Sequence, residues 1–182
     1  LVGSEMCIRD SNKPKGVVSA TNDKNEKTVI DLVPKEYKRR NLFPAGRLDI
    51  TTTGFVLITD DGDFAHRILS PKNHIEKTYE ARLAEKVTDE QIKRISEGIE
   101  LKDGTKCLPA KVTVIEDGDE PLVEIKICEG KYHQIKRMFA AAGNGVIGLK
   151  RTQMGGLMLD PNLKEGEIRL LTVREVQIIE NG

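Results

Sequence analysis

Hydrophobic and polar positions change period several times along this chain, and each change marks an element. Residues 54–59, Gly-Phe-Val-Leu-Ile-Thr, form a short apolar run between turn residues, which predicts a strand buried on both faces. Residues 77–83 read as a second strand. Residues 111–116 and 122–128 alternate and are separated by a turn-rich acidic linker, so they predict an antiparallel hairpin. Helical spacing takes over at 63–69, where Phe64 and Ile68 share a face, the acidic turn before them can cap, and Pro71 closes the segment. Thr88-Asp89-Glu90-Gln91 has capping-box spacing, with Ile92 and Ile95 as an apolar edge and Gly98 as a stop. Over 132–142, Ile135, Met138, Phe139 and Ala142 line one helix face that ends at Gly143, while the other faces are basic.

The remaining segments carry weaker patterns. The turn at 12–16 feeds a short strand at 17–21, residues 23–27 read as a solvated loop, and 28–33 as a short helix stopped by Pro34. Strands are predicted at 145–149, 157–159 and 168–171, and a last short helix at 173–179. Residues 1–11 lack periodicity and join abruptly to the rest, so they read as a non-native leader outside the fold, leaving 12–182 as one catalytic domain. Strands that mostly follow one another, with helices interspersed irregularly, predict an α+β domain rather than a doubly wound parallel sheet.

With 182 residues, 38% of them hydrophobic, the chain can bury a real core as one domain or as a domain with a smaller lobe. Its 29 basic and 29 acidic residues cancel, so nucleic-acid binding must be argued from local clustering. Lys131, Lys136, Arg137, Lys150 and Arg151 fall in a stretch with no acidic residue, and Lys35, Lys38, Arg39, Arg40 and Arg47 form a second basic run broken only by Glu36. Acidic residues gather elsewhere, at 60–63 and 116–120. No apolar run approaches the roughly 20 residues of a membrane span, and a cytoplasmic protein follows. Cys7, Cys107 and Cys128 are far apart and signal neither disulfides nor zinc.

Several chemistries lack their motifs. There is no GxxxxGK[ST] loop, no GxGxxG after a strand and no HExxH. His66, His74 and His133 are scattered, and Asp60, Asp61 and Asp63 lack the closing glutamate of a calcium loop, so no metal site is predicted. What remains is Gly46-Arg47-Leu48-Asp49-Ile50-Thr51-Thr52-Thr53-Gly54.

This segment resembles the GRLD signature of pseudouridine synthases. The order and spacing of residues 43–49, 59–62, Ser70-Pro71-Lys72 and Glu76-Lys77-Thr78-Tyr79 are similar to the RsuA/RluB/RluE/RluF branch, and residues 129–141, Glu-Gly-Lys-Tyr-His-Gln-Ile-Lys-Arg-Met-Phe-Ala-Ala, look like the RsuA subgroup. The resemblance runs from about Asn12 to Ile179. It implies the pseudouridine synthase fold, a mainly antiparallel mixed sheet with flanking helices and a catalytic cleft. It also implies isomerisation of a uridine in small-subunit rRNA during ribosome biogenesis by a monomeric enzyme, with no cofactor. The runner-up substrate is large-subunit rRNA. A non-catalytic rRNA-binding assembly protein and a protein-interaction module are the rival classes.

The resemblance also assigns roles. Asp49 is the catalytic carboxylate, acting as nucleophile toward the sugar or ring or as a base toward the sugar. Lys136 is the cation that keeps Asp49 charged against desolvation. Tyr79 stacks on the target base, and Leu149 is a wall of the uracil pocket. Arg47 can pair with phosphate or fill the space left by the target nucleotide, and Lys131, Arg137, Lys150 and Arg151 are RNA-binding cations. Each role has a plainer alternative: Tyr79 as a cross-strand aromatic, Leu149 as core, Lys136 and Arg137 as solvated helix residues. Relatives usually carry a small RNA-binding domain ahead of the catalytic part, and without it weaker, more salt-sensitive RNA binding is expected.

Overall fold

A computed structural model describes residues 8–38 and 41–182. In chain order its strands and helices are β1 (Arg9–Lys13), β2 (Phe43–Ala45), β3 (Thr53–Thr59), α1 (Gly62–Leu69), β4 (Lys77–Leu83), α2 (Asp89–Ser96), β5 (Lys111–Glu116), β6 (Leu122–Ile127), α3 (Gln134–Ala142), β7 (Val146–Met154), β8 (Leu157–Met158), β9 (Ile168–Leu170) and α4 (Val173–Asn181). The chain forms two compact units, one of Leu1–Ile75 with Gln153–Gly182 and one of Glu76–Thr152.

In the first unit β1 lies between β3 and β9, and β2 pairs with Leu57, Ile58 and Thr59 of β3. All of these pairings are antiparallel, with Arg9 opposite Ile58 and Ser11 opposite both Val56 and Ile168. β3 is buried on both faces, as its unbroken apolar run predicts. Phe55 and Leu57 pack with Phe64, Ile68, Met154 and Ile179, while Ile58 turns the other way onto Val17, Val29, Val33 and Leu42. Asp61 caps α1 by accepting the Phe64 N–H at 2.9 Å, and α4 begins with a Thr172/Glu175 capping box.

In the second unit the strand order is β5, β6, β4, β7. β5 and β6 form the predicted hairpin, with a register shift between Val114 and Glu116. Thr88 and Gln91 make the capping box of α2. Ile95, Met138 and Phe139 bury the apolar sides of α2 and α3, and Arg94 ties the helices by donating to the Ala141 carbonyl at 3.1 Å.

Four sequence expectations need correction. Residues 9–11 do not stand outside the fold: they pair on both sides as β1, because backbone groups alone make a ladder whatever side chains they carry. Residues 17–21 are not a strand, since only Val18 bridges, to Thr28, and the segment serves instead to bury Val17. Residues 28–33 are turns rather than a helix. There the Asp31 carboxylate accepts from both the Thr28 N–H and hydroxyl, which rewards a turn over helical bonding. α3 starts at Gln134 because His133, at φ 46°, sits in the left-handed region that ends a helix. β2 was not anticipated, and β7 extends five residues beyond the predicted 145–149 segment. Cys107 and Cys128 are free thiols, while Cys7, Arg39 and Arg40 lie outside the described residues.

Candidate active site

The Gly46-Arg47-Leu48-Asp49 segment connects β2 to β3. Gly46 has φ 94°, and a Cβ there would come within 3.0 Å of Leu69 Cδ2, so both backbone and space call for glycine. Leu48 is buried, and a single hydroxyl fixes its peptide groups: Ser19 Oγ accepts the Leu48 N–H at 3.0 Å and donates to the Leu48 carbonyl at 3.1 Å. On the far side of Asp49, the Asp49 carbonyl accepts the Thr52 N–H at 3.0 Å, and the Ile50 carbonyl accepts the Gly16 N–H at 2.8 Å. Buried Lys13 reinforces this region, its ammonium donating to the carbonyls of Val17 at 2.6 Å, Pro14 at 3.0 Å and Ile50 at 3.5 Å. Half-buried Asp49 thus sits in a segment held on both sides, an arrangement that limits the geometries its side chain can take. Arg47, beside it, is exposed.

The other assigned residues belong to the second unit. Tyr79, on β4, is 7% exposed, and its phenolic oxygen accepts from Arg151 Nη1 at 3.3 Å. The Arg151 guanidinium carbon is 5.9 Å from the Tyr79 ring centroid. Sequence reasoning groups Arg151 with cations that meet RNA, but the structure buries it to 2% exposure against Tyr79. The reason is the length of β7: the strand continues past residue 149, so alternation turns Leu149 and Arg151 to one face and Lys150 to the other. Leu149 and Lys150 are half-buried.

α3 carries Lys136 and Arg137, both half-buried. Arg137 pairs with Asp103 and donates to the Tyr132 carbonyl at 3.2 Å. Lys131 pairs with Glu129, whose carboxylate also accepts from the Leu108 N–H at 2.8 Å and from Gln134 Nε2 at 2.6 Å. Two of the five assigned RNA-binding cations therefore already have carboxylate partners, which sequence alone did not reveal. Sequence reasoning also passed over Lys77, although it lies within a motif it used. Lys77 is buried, and desolvation together with the nearby Arg151 holds its ammonium pKa below the usual lysine range. Tyr132, 75% exposed, stacks on His133 with centroids 3.8 Å apart, and its plain signal was an aromatic in a basic turn. Among the described residues no helix is long and apolar enough to cross a membrane, and no three His, Cys, Asp or Glu side chains gather as metal ligands.

Comparison with known proteins places this geometry. Residues 11–141 match the family model described as RNA pseudouridylate synthase. The chain belongs to that family, isomerases that convert uridine in RNA to pseudouridine. Within it the chain is 47% identical over 169 residues to an uncharacterized RNA pseudouridine synthase, YtzG, of Bacillus subtilis, covering 92% of this chain and 71% of that one. It is 46% identical over 168 residues to ribosomal small subunit pseudouridine synthase A of Escherichia coli K12, covering 91% and 70%. A crystal structure of a pseudouridylate synthase superposes with a TM-score of 0.87 at 42% identity, over 96% of this chain and 74% of that one. An archaeal box H/ACA Nop10-Cbf5 complex shares the fold at a TM-score of 0.62 and 18% identity, over 88% of this chain and 51% of that one. The α+β expectation and the resemblance to the RsuA branch both stand.

Proposed function

We propose that this protein isomerises a uridine of small-subunit rRNA, acting as a cytoplasmic monomer during ribosome assembly. The observation that carries the catalytic reading is the Asp49 segment, whose two flanking residues are pinned through Ser19, Gly16 and Lys13. Relatives 46–47% identical and named for the small subunit support the choice of RNA.

In the reaction the bond from the sugar C1′ to uracil N1 breaks. The ring turns while bound, C1′ joins C5, C5 gives up its proton and N1 gains one. Atoms and electrons balance without oxidant or hydrolysis. Asp49 serves as nucleophile or as base toward the sugar, Lys136 supplies positive charge for the same chemistry, and Tyr79 stacks on the uracil with Leu149 as an apolar wall. Arg47 and Lys150 are available for backbone phosphates, with Lys131 and Arg137 exchanging their carboxylate partners for phosphate.

The test is incubation with small- and large-subunit rRNA, naked and as assembly intermediates, followed by mapping of new pseudouridines at nucleotide resolution. New pseudouridine in the small-subunit RNA is expected, and modification confined to the large-subunit RNA would reassign the substrate. No modification on any RNA overturns the reading. Asp49→Ala should lose activity by about a thousandfold or more while RNA retention is kept, the pattern of a group needed only for the chemical step.

A further inference from the structure

A guanidinium is costly to bury unless its donors are used, so a 2%-exposed arginine needs a reason to be where it is. Arg151 reaches the Tyr79 phenolic oxygen at 3.3 Å and lies 5.9 Å from the ring centroid, so its contact is with the hydroxyl end of that side chain. The strands on which the two residues stand are tied beside this contact by the Thr152 hydroxyl, which donates to the Thr78 carbonyl at 3.4 Å. Lys77 shares the Tyr79 face of β4 two residues earlier and is close enough to Arg151 for the two charges to repel.

An arginine can only donate. Its bond to Tyr79 therefore occupies a lone pair of the phenolic oxygen and leaves the hydroxyl proton to point elsewhere. We propose that Arg151 is a positioning residue for Tyr79. It fixes the plane of the ring against the target uracil and directs the hydroxyl proton toward a substrate acceptor at the edge of that stack, such as a sugar or phosphate oxygen. It does not serve as a phosphate contact. This rests on the reading of Tyr79 as the residue that meets the base.

The experiment compares wild type, Arg151→Met, Tyr79→Phe and the double variant on a small-subunit rRNA transcript, at two salt concentrations and with thermal melts recorded. Arg151→Met should lower kcat by about tenfold to a hundredfold, with KM within about threefold and an unchanged salt dependence. In the Tyr79→Phe background the same change should cost less than about twofold more, because the atom through which Arg151 acts is already gone. Arg151→Lys, which keeps a donor, should recover part of the loss, and it carries the cycle if Arg151→Met melts below the assay temperature. Losses that multiply in the double variant would overturn the proposal in favour of a purely structural role. A KM increase with a shallower salt dependence would overturn it in favour of a phosphate contact. Wild-type kcat in Tyr79→Phe would overturn it as well, leaving the Asp49 reading intact. An inactive wild type, by contrast, removes the proposed function first and this inference with it.

Discussion

β1 and β4 both carry charge into the interior, and they do it in opposite ways. All five residues of β1, Arg-Asp-Ser-Asn-Lys, are buried. Arg9 Nε and Nη1, Asp10 Oδ1, Ser11 Oγ and Asn12 Oδ1 find no hydrogen-bond partner there. Their remaining polar atoms are used: Arg9 Nη2 donates to the Tyr37 carbonyl at 2.8 Å, Asp10 pairs with Arg169, Asn12 Nδ2 donates to the Leu163 carbonyl at 2.7 Å, and the Lys13 ammonium holds its carbonyls. β4 alternates: Ala81 and Leu83 are core, Glu80 and Arg82 are half-buried, and Tyr79 has a defined partner in Arg151. The contrast separates the two demands on a strand, since the backbone ladder of β1 is complete while its side chains are mismatched to their surroundings.

The comparison can be broken most severely at Lys13. Lys13→Met orphans buried carbonyls beside the Asp49 segment, and a loss of about 3 to 5 kcal/mol in denaturant unfolding is expected, with activity falling in parallel. Asp10 supplies the next effect. Burial raises its carboxyl from 3.8 to about 6 against the pull of Arg169, so the folded state holds the proton more tightly than the unfolded chain does. Its contribution is therefore most favourable below pH 3.8 and is lost as pH climbs to about 6, a difference on the order of 3 kcal/mol. Asp10→Asn should remove that slope from unfolding midpoints measured across the window.

Smaller changes sharpen the contrast. Ser11→Val replaces an unpartnered buried hydroxyl between Val56 and Ile168, and a gain of about 1 to 2 kcal/mol is expected, read as a higher melting temperature. In β4, Tyr79→Phe removes one long hydrogen bond and should cost stability about 1 kcal/mol or less, visible only in a precise denaturant titration.

The same two strands explain what was legible in the sequence. β3, β4 and the β5–β6 hairpin carry apolar runs or alternation, and their predicted bounds fall within one residue of the observed ones. The caps Asp61, Thr88 and Thr172 hold their helices by local bonds that spacing alone reveals or allows. β1 was illegible because its side chains contradict its place, and Val17 misled because a buried side chain does not need a strand beneath it. At the site, the Asp49 motif was readable as a motif. The clasp of Ser19 and Lys13 was not, because those bonds span 29 and 37 residues of chain. The burial of Arg151 was not legible, since the difference between a surface cation and an interior one lay in how far β7 continues.

The chain also threads its two units unequally. Glu76–Thr152 is one uninterrupted segment, whereas the other unit closes only when Gln153–Gly182 supplies β8, β9 and α4. On the ribosome the continuous unit is complete in sequence while the unit that bears Asp49 still lacks its third-strand neighbour and the helix that meets α1. Asp49 and the residues that hold its segment are synthesised early, yet the strand and helix that complete their unit are synthesised last.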